Sequence, residues 1–213
     1  MTFPQENDKR HIDLLSVSRL PLLLKQLYKD PVPPTTEAII SFVFERSEEM
    51  FHAFSALSDR EGARMLREIY EPTRLTRATV FEIRTCCTAL ASAMLPDGMV
   101  SKEHGEQVTS ILRELIVMEY LKRSRYSEEF DRLYAVTSDR GLKYGKHLRD
   151  DPKLLELLYQ NMLWAQTDSI KESAERPVIT GDSFNSFHAK NVLHVLLIRY
   201  IKDFASFVNR TVP

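Results

Sequence analysis

Residues that form turns are scarce in this chain. It has 6 glycines and 10 prolines among 213 residues, well below the usual share of about 12% for the two together. A β-sandwich or β-barrel uses glycine, asparagine and proline at its hairpins, so this scarcity argues against a many-stranded fold. Apolar residues instead recur three and four positions apart through most of the chain, as they do on one face of an α-helix. The sequence therefore predicts a mainly α-helical protein.

The helical pattern divides the chain into seven or eight helices. The clearest predicted segments cover residues 14–27, 35–57, 58–70, 76–95, 101–121, 151–175 and 186–209. Ser101 and Asp151 stand where N-caps are expected, and Pro152 suits a first helical turn. The last segment is apolar on most sides, and we expect neighbouring helices to surround it.

The length of the chain fits either one large domain or two small ones. The pattern suggests an N-terminal helical region over residues 1–75, a central region over 76–148 and a C-terminal helical region over 149–213. One compact domain that contains all three regions is the alternative.

Positive and negative charges nearly balance. The chain has 29 lysines and arginines against 30 aspartates and glutamates, which gives a net charge of −1. Nucleic-acid-binding domains are often basic as a whole, so any basic surface of this protein has to be local. The proportions of apolar and charged residues are those of a soluble globular protein rather than a disordered or fibrous one.

No segment suggests secretion or a membrane span. The N-terminus lacks the apolar run of a signal peptide. The most apolar stretch, Val192–Ile201, contains His194 and Arg199 and is about half the length that crosses a bilayer. Cys86 and Cys87 are adjacent, and neighbours on a helix point about 100° apart, so we expect core packing rather than a disulfide. These features favour a cytoplasmic protein.

The spacing of apolar residues changes between residues 120 and 137, and this segment has two possible interpretations. Residues 120–126 and 132–137 have the composition of two short strands around a polar loop. Ser127, followed by Glu128 and Glu129, is also typical of a helix N-terminus. The first interpretation adds a small two-stranded wing near residues 120–137, and the second adds another helix.

Residues 79–148 give a helix, a turn at Pro96-Asp97-Gly98, a second helix from Ser101 and then the possible strands, which lead through Val136-Thr137 to Gly141. This order resembles the winged helix-turn-helix regulators. The resemblance implies a recognition helix and a basic wing that contact nucleic acid. The residues placed there are Lys122, Arg123, Arg125, Gln107 and Ser110.

The recognition helix of such a module would also carry Glu103, Glu106 and Glu114. Carboxylates near phosphates are unfavourable, because affinity for duplex DNA comes largely from neutralising the backbone charge. Winged helices also serve as protein-binding units, so the two kinds of partner remain open.

A second basic pattern lies on the predicted helix after Ser58. Arg60, Arg64 and Arg67 follow one another at spacings of four and three residues, which places them on one helical face. Such a face can bind phosphates or an acidic partner helix. The alternative is a solvated face, since interleaved glutamates such as Glu68 can pair with these arginines.

The pattern of catalytic and metal-binding residues is sparse. Glu49 and His52 form half of the Glu-x-x-His motif of di-iron helical bundles, and no second half is present. We therefore expect no metal and no cofactor.

These observations together favour a non-enzymatic regulatory or interaction protein. Its helical surfaces would bind a protein partner, with nucleic-acid contact through the central region as an added role. The apolar terminal helices favour a homodimer. A DNA-binding transcriptional regulator is the first alternative, and a helical enzyme that depends on a metal or a small molecule is the second.

Overall fold

The computed structural model describes residues 20–58, 72–95, 101–121, 127–148, 151–167 and 184–211. Seven helices account for most of these residues, and none of these residues lies in a β-strand. The helices are α1 (Leu20–Leu27), α2 (Pro34–Ser58), α3 (Pro72–Met94), α4 (Lys102–Leu121), α5 (Glu128–Lys146), α6 (Asp151–Thr167) and α7 (Phe184–Thr211). The predicted mainly α-helical fold is confirmed for this part of the chain.

Several helices begin a few residues from their predicted starts. α2 begins at Pro34 and α3 at Pro72, each earlier than predicted. Proline suits the first turn of a helix because the N–H that it lacks would have no partner there. α7 covers residues 184–211, close to the predicted 186–209. The predicted helix over residues 58–70 lies almost entirely outside the described residues.

The two-stranded wing predicted near residues 120–137 is wrong where the structure describes this region. Residues 120 and 121 end α4, and residues 132–137 lie inside α5. Ser127 caps α5, because its side chain accepts a hydrogen bond from the Phe130 N–H at 3.1 Å. Three acidic residues follow in the first turn, where they interact favourably with the helix dipole. These signals outweigh the strand-like composition of a short segment.

The buried side of α5 confirms the helical interpretation. Phe130, Leu133, Val136 and Tyr144 are buried, and the first three are spaced three residues apart. A strand would bury alternate residues instead. The segment therefore packs as an amphipathic helix.

α3 is the central helix of the bundle. It packs against α2, α4, α5, α6 and α7, which come from all three predicted regions of the chain. Every side chain from Thr79 to Ala91 is buried. The small side chains of Cys86, Cys87 and Ala89 allow its neighbours to approach closely. The middle of α3 therefore has no side that faces solvent.

α7 lies on the outside of the bundle. It buries one stripe, made of Leu193, Leu197, Tyr200, Phe204 and Val208. Its other side is exposed at positions such as Val195, so the expectation that neighbours surround this helix is not met among the described residues. None of the described helices has both the length and the hydropathy that a membrane span requires.

Glu82 is a buried charge that other helices neutralise. It forms an ion pair with the buried Arg140 of α5. The Tyr144 hydroxyl donates to Glu82 Oε2 at 3.0 Å, and Asn161 Nδ2 of α6 donates to Tyr144 Oη at 2.8 Å. These contacts tie α3, α5 and α6 together.

Arg84 lies on the same helix and forms a second buried ion pair, with Glu119 of α4. Its guanidinium carbon is 4.4 Å from the centre of the Phe44 ring of α2, which is a cation–π contact. Burial lowers the pKa of Arg84 to about 10, so the side chain stays charged at neutral pH. This pair joins α3 to α4 and α2.

Aromatic side chains fill the interface between α2 and α7. The Phe42 ring stacks on Phe207 with 4.6 Å between ring centres and meets Phe204 edge-on at 5.5 Å. The Tyr200 hydroxyl donates to the Cys87 carbonyl at 2.9 Å. Burial raises the pKa of Tyr200, so this phenol remains a donor and joins α7 to α3.

The Glu82–Arg140 pair gives a prediction about stability. Arg140→Met leaves the Glu82 carboxylate buried without its ion partner, which should lower the free energy of unfolding by about 3–5 kcal/mol. The double variant Glu82→Gln, Arg140→Met should recover most of this loss because it leaves no unpaired charge at this site. Urea unfolding followed by circular dichroism measures both values. Equal losses in the single and double variants would contradict this account.

The cap of α5 gives a second prediction. Ser127→Ala removes the acceptor for the Phe130 N–H and should cost about 1 kcal/mol of unfolding free energy. Ser138→Ala, in the middle of the same helix, is the matched control and should be neutral or slightly stabilising because alanine favours helices. The same urea experiment compares the two variants, and a Ser127→Ala protein as stable as the control would count against the cap.

Candidate functional site

A cavity of about 250 Å³ lies between α3, α4 and α5. Its wall consists of Thr85, Thr88, Ala89, Ser92 and Ala93 of α3, Thr109, Arg113 and Ile116 of α4, and Thr137, Gly141, Leu142 and Gly145 of α5. Ala93 and Leu142 are exposed, whereas Thr85 and Thr137 are buried. The cavity therefore leads from the surface toward the middle of the central helix.

Most hydroxyl groups in the wall are bound to the protein itself. Thr85 and Thr137 each donate to a backbone carbonyl of their own helix at 2.7 Å. Ser92 donates to the Thr88 carbonyl at 2.8 Å, and its oxygen is 2.7 Å from the Thr109 hydroxyl. Back-bonding of this kind is usual for serine and threonine inside helices. These hydroxyl groups make the wall polar, and their hydrogen-bonding capacity is largely satisfied within the protein.

Thr88 differs from the other hydroxyl residues. Its side chain is almost fully buried, with 3% of the residue exposed. Its hydroxyl oxygen has no hydrogen-bond partner among the described residues. A buried polar group without a partner costs free energy and calls for an explanation. The cavity wall therefore contains a buried hydroxyl group, that of Thr88, that neither donates nor accepts a hydrogen bond among the described residues.

Arg113 supplies the only charged side chain among the lining residues. It is half-buried, and no carboxylate among the described residues pairs with it. The neighbouring Glu114 already has a partner, because the hydroxyl of Tyr28, the residue after α1, donates to its Oε2 at 2.5 Å. The positive charge of Arg113 therefore faces the cavity without a partner in the described part of the protein.

Gly141 leaves room for the guanidinium. A Cβ atom built at this position would lie 3.5 Å from Arg113 Nη2, which is ordinary van der Waals contact. A larger side chain would extend into the space beside the guanidinium. The glycine therefore keeps one side of Arg113 open.

The two cysteines are not part of a reactive site. Cys86 and Cys87 are free and fully buried in α3. Burial raises the pKa of both thiols, which keeps them protonated and unreactive. They pack in the core, as the sequence led us to expect.

The structure describes only part of the predicted nucleic-acid site. Lys122, Arg123 and Arg125 lie outside the described residues. Gln107 is exposed on α4, and Ser110 is half-buried with its hydroxyl 3.0 Å from the Tyr134 hydroxyl of α5. Ser110 therefore takes part in a contact between helices.

The predicted arginine stripe of Arg60, Arg64 and Arg67 also lies outside the described residues. Binding of phosphates or of an acidic partner helix by these three arginines therefore stays a prediction.

Glu49 and His52 do not form an inward-facing metal site. Glu49 pairs with Arg46 at 2.6 Å, and the His52 side chain is 69% exposed on the surface of α2. No group of three or more metal-binding side chains occurs among the described residues. The half-motif is thus part of a solvated helical face.

Sequence reasoning missed Thr88, Arg113 and the cavity that they line. A weak signal was present, because small side chains recur at helical spacing on α3 and α5. This spacing shows that each helix has a face of small residues, but it does not show that these faces meet around one arginine.

No family model, no curated protein and no solved structure matches this chain.

Proposed function

We propose that this protein is a non-enzymatic regulatory protein that acts by binding. It holds a small molecule in the cavity between α3, α4 and α5, and it binds a protein partner on its outer helices. The composition of the cavity wall is the observation that supports this proposal. Hydroxyl groups, one guanidinium and an otherwise largely carbon surface are suited to holding a ligand in a fixed orientation.

The same wall is poorly suited to catalysis. Proton transfer at neutral pH needs a group such as histidine or a carboxylate within reach of the substrate, and a hydroxyl nucleophile needs a base beside it. No described histidine, cysteine, lysine or carboxylate lines the cavity, and arginine stays protonated. These features support binding without chemical conversion.

The exposed face of α7 supports the protein-binding part of the proposal. Val195 is 65% exposed, and the half-exposed Val192 and Ile198 lie three residues to either side. These three residues form an apolar stripe on the solvent-facing side of α7. A stripe of this kind is typical of a surface that another protein covers.

A second copy of this chain is the partner that we assign to the stripe. An antiparallel pair related by a two-fold axis brings each Val195 against its copy. The same arrangement sets Arg199 opposite the neutral Asn191 rather than opposite another cation. Arg199 therefore does not oppose this pairing.

The small-molecule part is tested by measuring binding and conversion together. Full-length protein is incubated with carboxylates, phosphate esters, amines and alcohols of up to about ten non-hydrogen atoms. We expect one chemical class to raise the melting temperature, because a ligand bound only by the folded state stabilises that state. Mass spectrometry should recover each binder unchanged. Consumption of a binder by the parent protein but not by Arg113→Gln would disprove the non-enzymatic assignment, and the absence of any binder would disprove the ligand site.

The self-association part is tested by light scattering at micromolar concentrations. We expect the parent protein to be a dimer and Val195→Glu to be a monomer, because two carboxylates would meet at the two-fold axis. Gln107→Glu adds the same charge to an exposed site on α4, a different helix, and it should remain dimeric. A parent protein that is strictly monomeric would refute the assignment.

A further inference from the structure

We infer that the cavity between α3, α4 and α5 binds a small organic carboxylate, held by the Arg113 guanidinium. This inference rests on the proposed function, since it names the chemical class of the molecule that the cavity takes up. Four features carry it: the charge of the wall, the volume, the carbon surface and the unmet hydroxyl of Thr88.

The charge of the wall selects a ligand with one negative charge. Arg113 is the single charged side chain among the lining residues, and it has no ion partner in the described part of the chain. Its planar guanidinium can donate two parallel hydrogen bonds to a carboxylate. A phosphate dianion would leave a second negative charge in a wall that offers only neutral hydroxyls to meet it, which is costly in a partly buried site.

The volume of the cavity sets an upper limit on the size of the ligand. A dry cavity of about 150 Å³ is large enough for benzene. On this scale, the cavity of about 250 Å³ accommodates a molecule of about ten non-hydrogen atoms. Nucleotides and most cofactors are larger than this limit.

The body of the ligand is expected to be apolar. Ile116, Ala89 and the methyl groups of the threonines give the cavity a mainly carbon surface. Leu142 is 62% exposed at the outer end, where a ligand would cover part of its side chain. Short aliphatic or aromatic carboxylic acids combine such a body with the single charge that Arg113 favours.

Thr88 provides the second, independent sign of a ligand. Its buried hydroxyl has no partner among the described residues, although Thr85, one turn earlier on the same helix, binds the Phe81 carbonyl at 2.7 Å. A carboxylate in the cavity would bring an acceptor to this side of the wall. The unmet hydroxyl of Thr88 would then donate to the ligand.

Calorimetric titration of the full-length protein tests the inference. Benzoate and hexanoate are the probes, benzyl alcohol and hexanol are the neutral analogues, and phenyl phosphate and inorganic phosphate represent the other anions. We expect the two carboxylates to bind at least about tenfold more tightly than their neutral analogues, since a hydrogen bond to a charged group is worth this factor or more.

Variants locate the site. Arg113→Gln should weaken carboxylate binding by about tenfold or more without changing the melting temperature of the free protein, because the arginine has no described partner to lose. Arg199→Gln is the matched control on α7 and should bind like the parent. Thr88→Val keeps the shape of the side chain and should weaken binding while raising the melting temperature of the ligand-free protein, because it removes a buried unmet hydroxyl.

Three results would overturn the inference without disproving that the protein binds a small molecule. They are tighter binding of the phosphates, equal binding of the neutral analogues, and unchanged carboxylate binding in Arg113→Gln. Failure of every probe to bind would instead count against the proposed function itself. The two failures are therefore distinguishable in one series of titrations.

Discussion

The burial of α3 on all sides is the constraint on which the rest of this fold depends. A helix without a solvent-facing side has to satisfy its polar groups within the protein. Glu82 is neutralised by Arg140 of α5, and Arg84 by Glu119 of α4. Because each partner comes from a different helix, neutralising these two charges also fixes where α4 and α5 lie around the centre.

The positions of the helices could be predicted because the signals are local. Ser101 illustrates this: its side chain accepts a hydrogen bond from the His104 N–H at 3.2 Å, and both residues belong to one turn. The central place of α3 could not be predicted in the same way. Glu82 and Arg84 suggest an exposed face in the sequence, and only the distant residues that pair with them make their burial possible. The more apolar α7 was the stronger candidate for a central helix, yet it lies outside.

The candidate site was harder to predict than the fold. Sequence reasoning favours clusters of like charges, such as Arg60, Arg64 and Arg67, over a single arginine. Arg113 becomes significant only because Glu114 is occupied by Tyr28 and because Gly141 leaves space beside the guanidinium. Both contacts are between residues that are far apart in the chain, so no short sequence pattern predicts either of them.

The contacts that run from Arg140 through Glu82 and Tyr144 to Asn161 have a consequence for how the chain assembles. α3 and α5 are separated in the sequence by the whole of α4. If α3 docked on its earlier neighbours alone, Glu82 would lose its water before Arg140 arrived, and a lone carboxylate in that position is strongly unfavourable. Burial of Glu82 is therefore favourable only when α5 brings Arg140 to it. We therefore expect the core of this bundle to form cooperatively, with the middle of α3 hydrated until α5 packs on it.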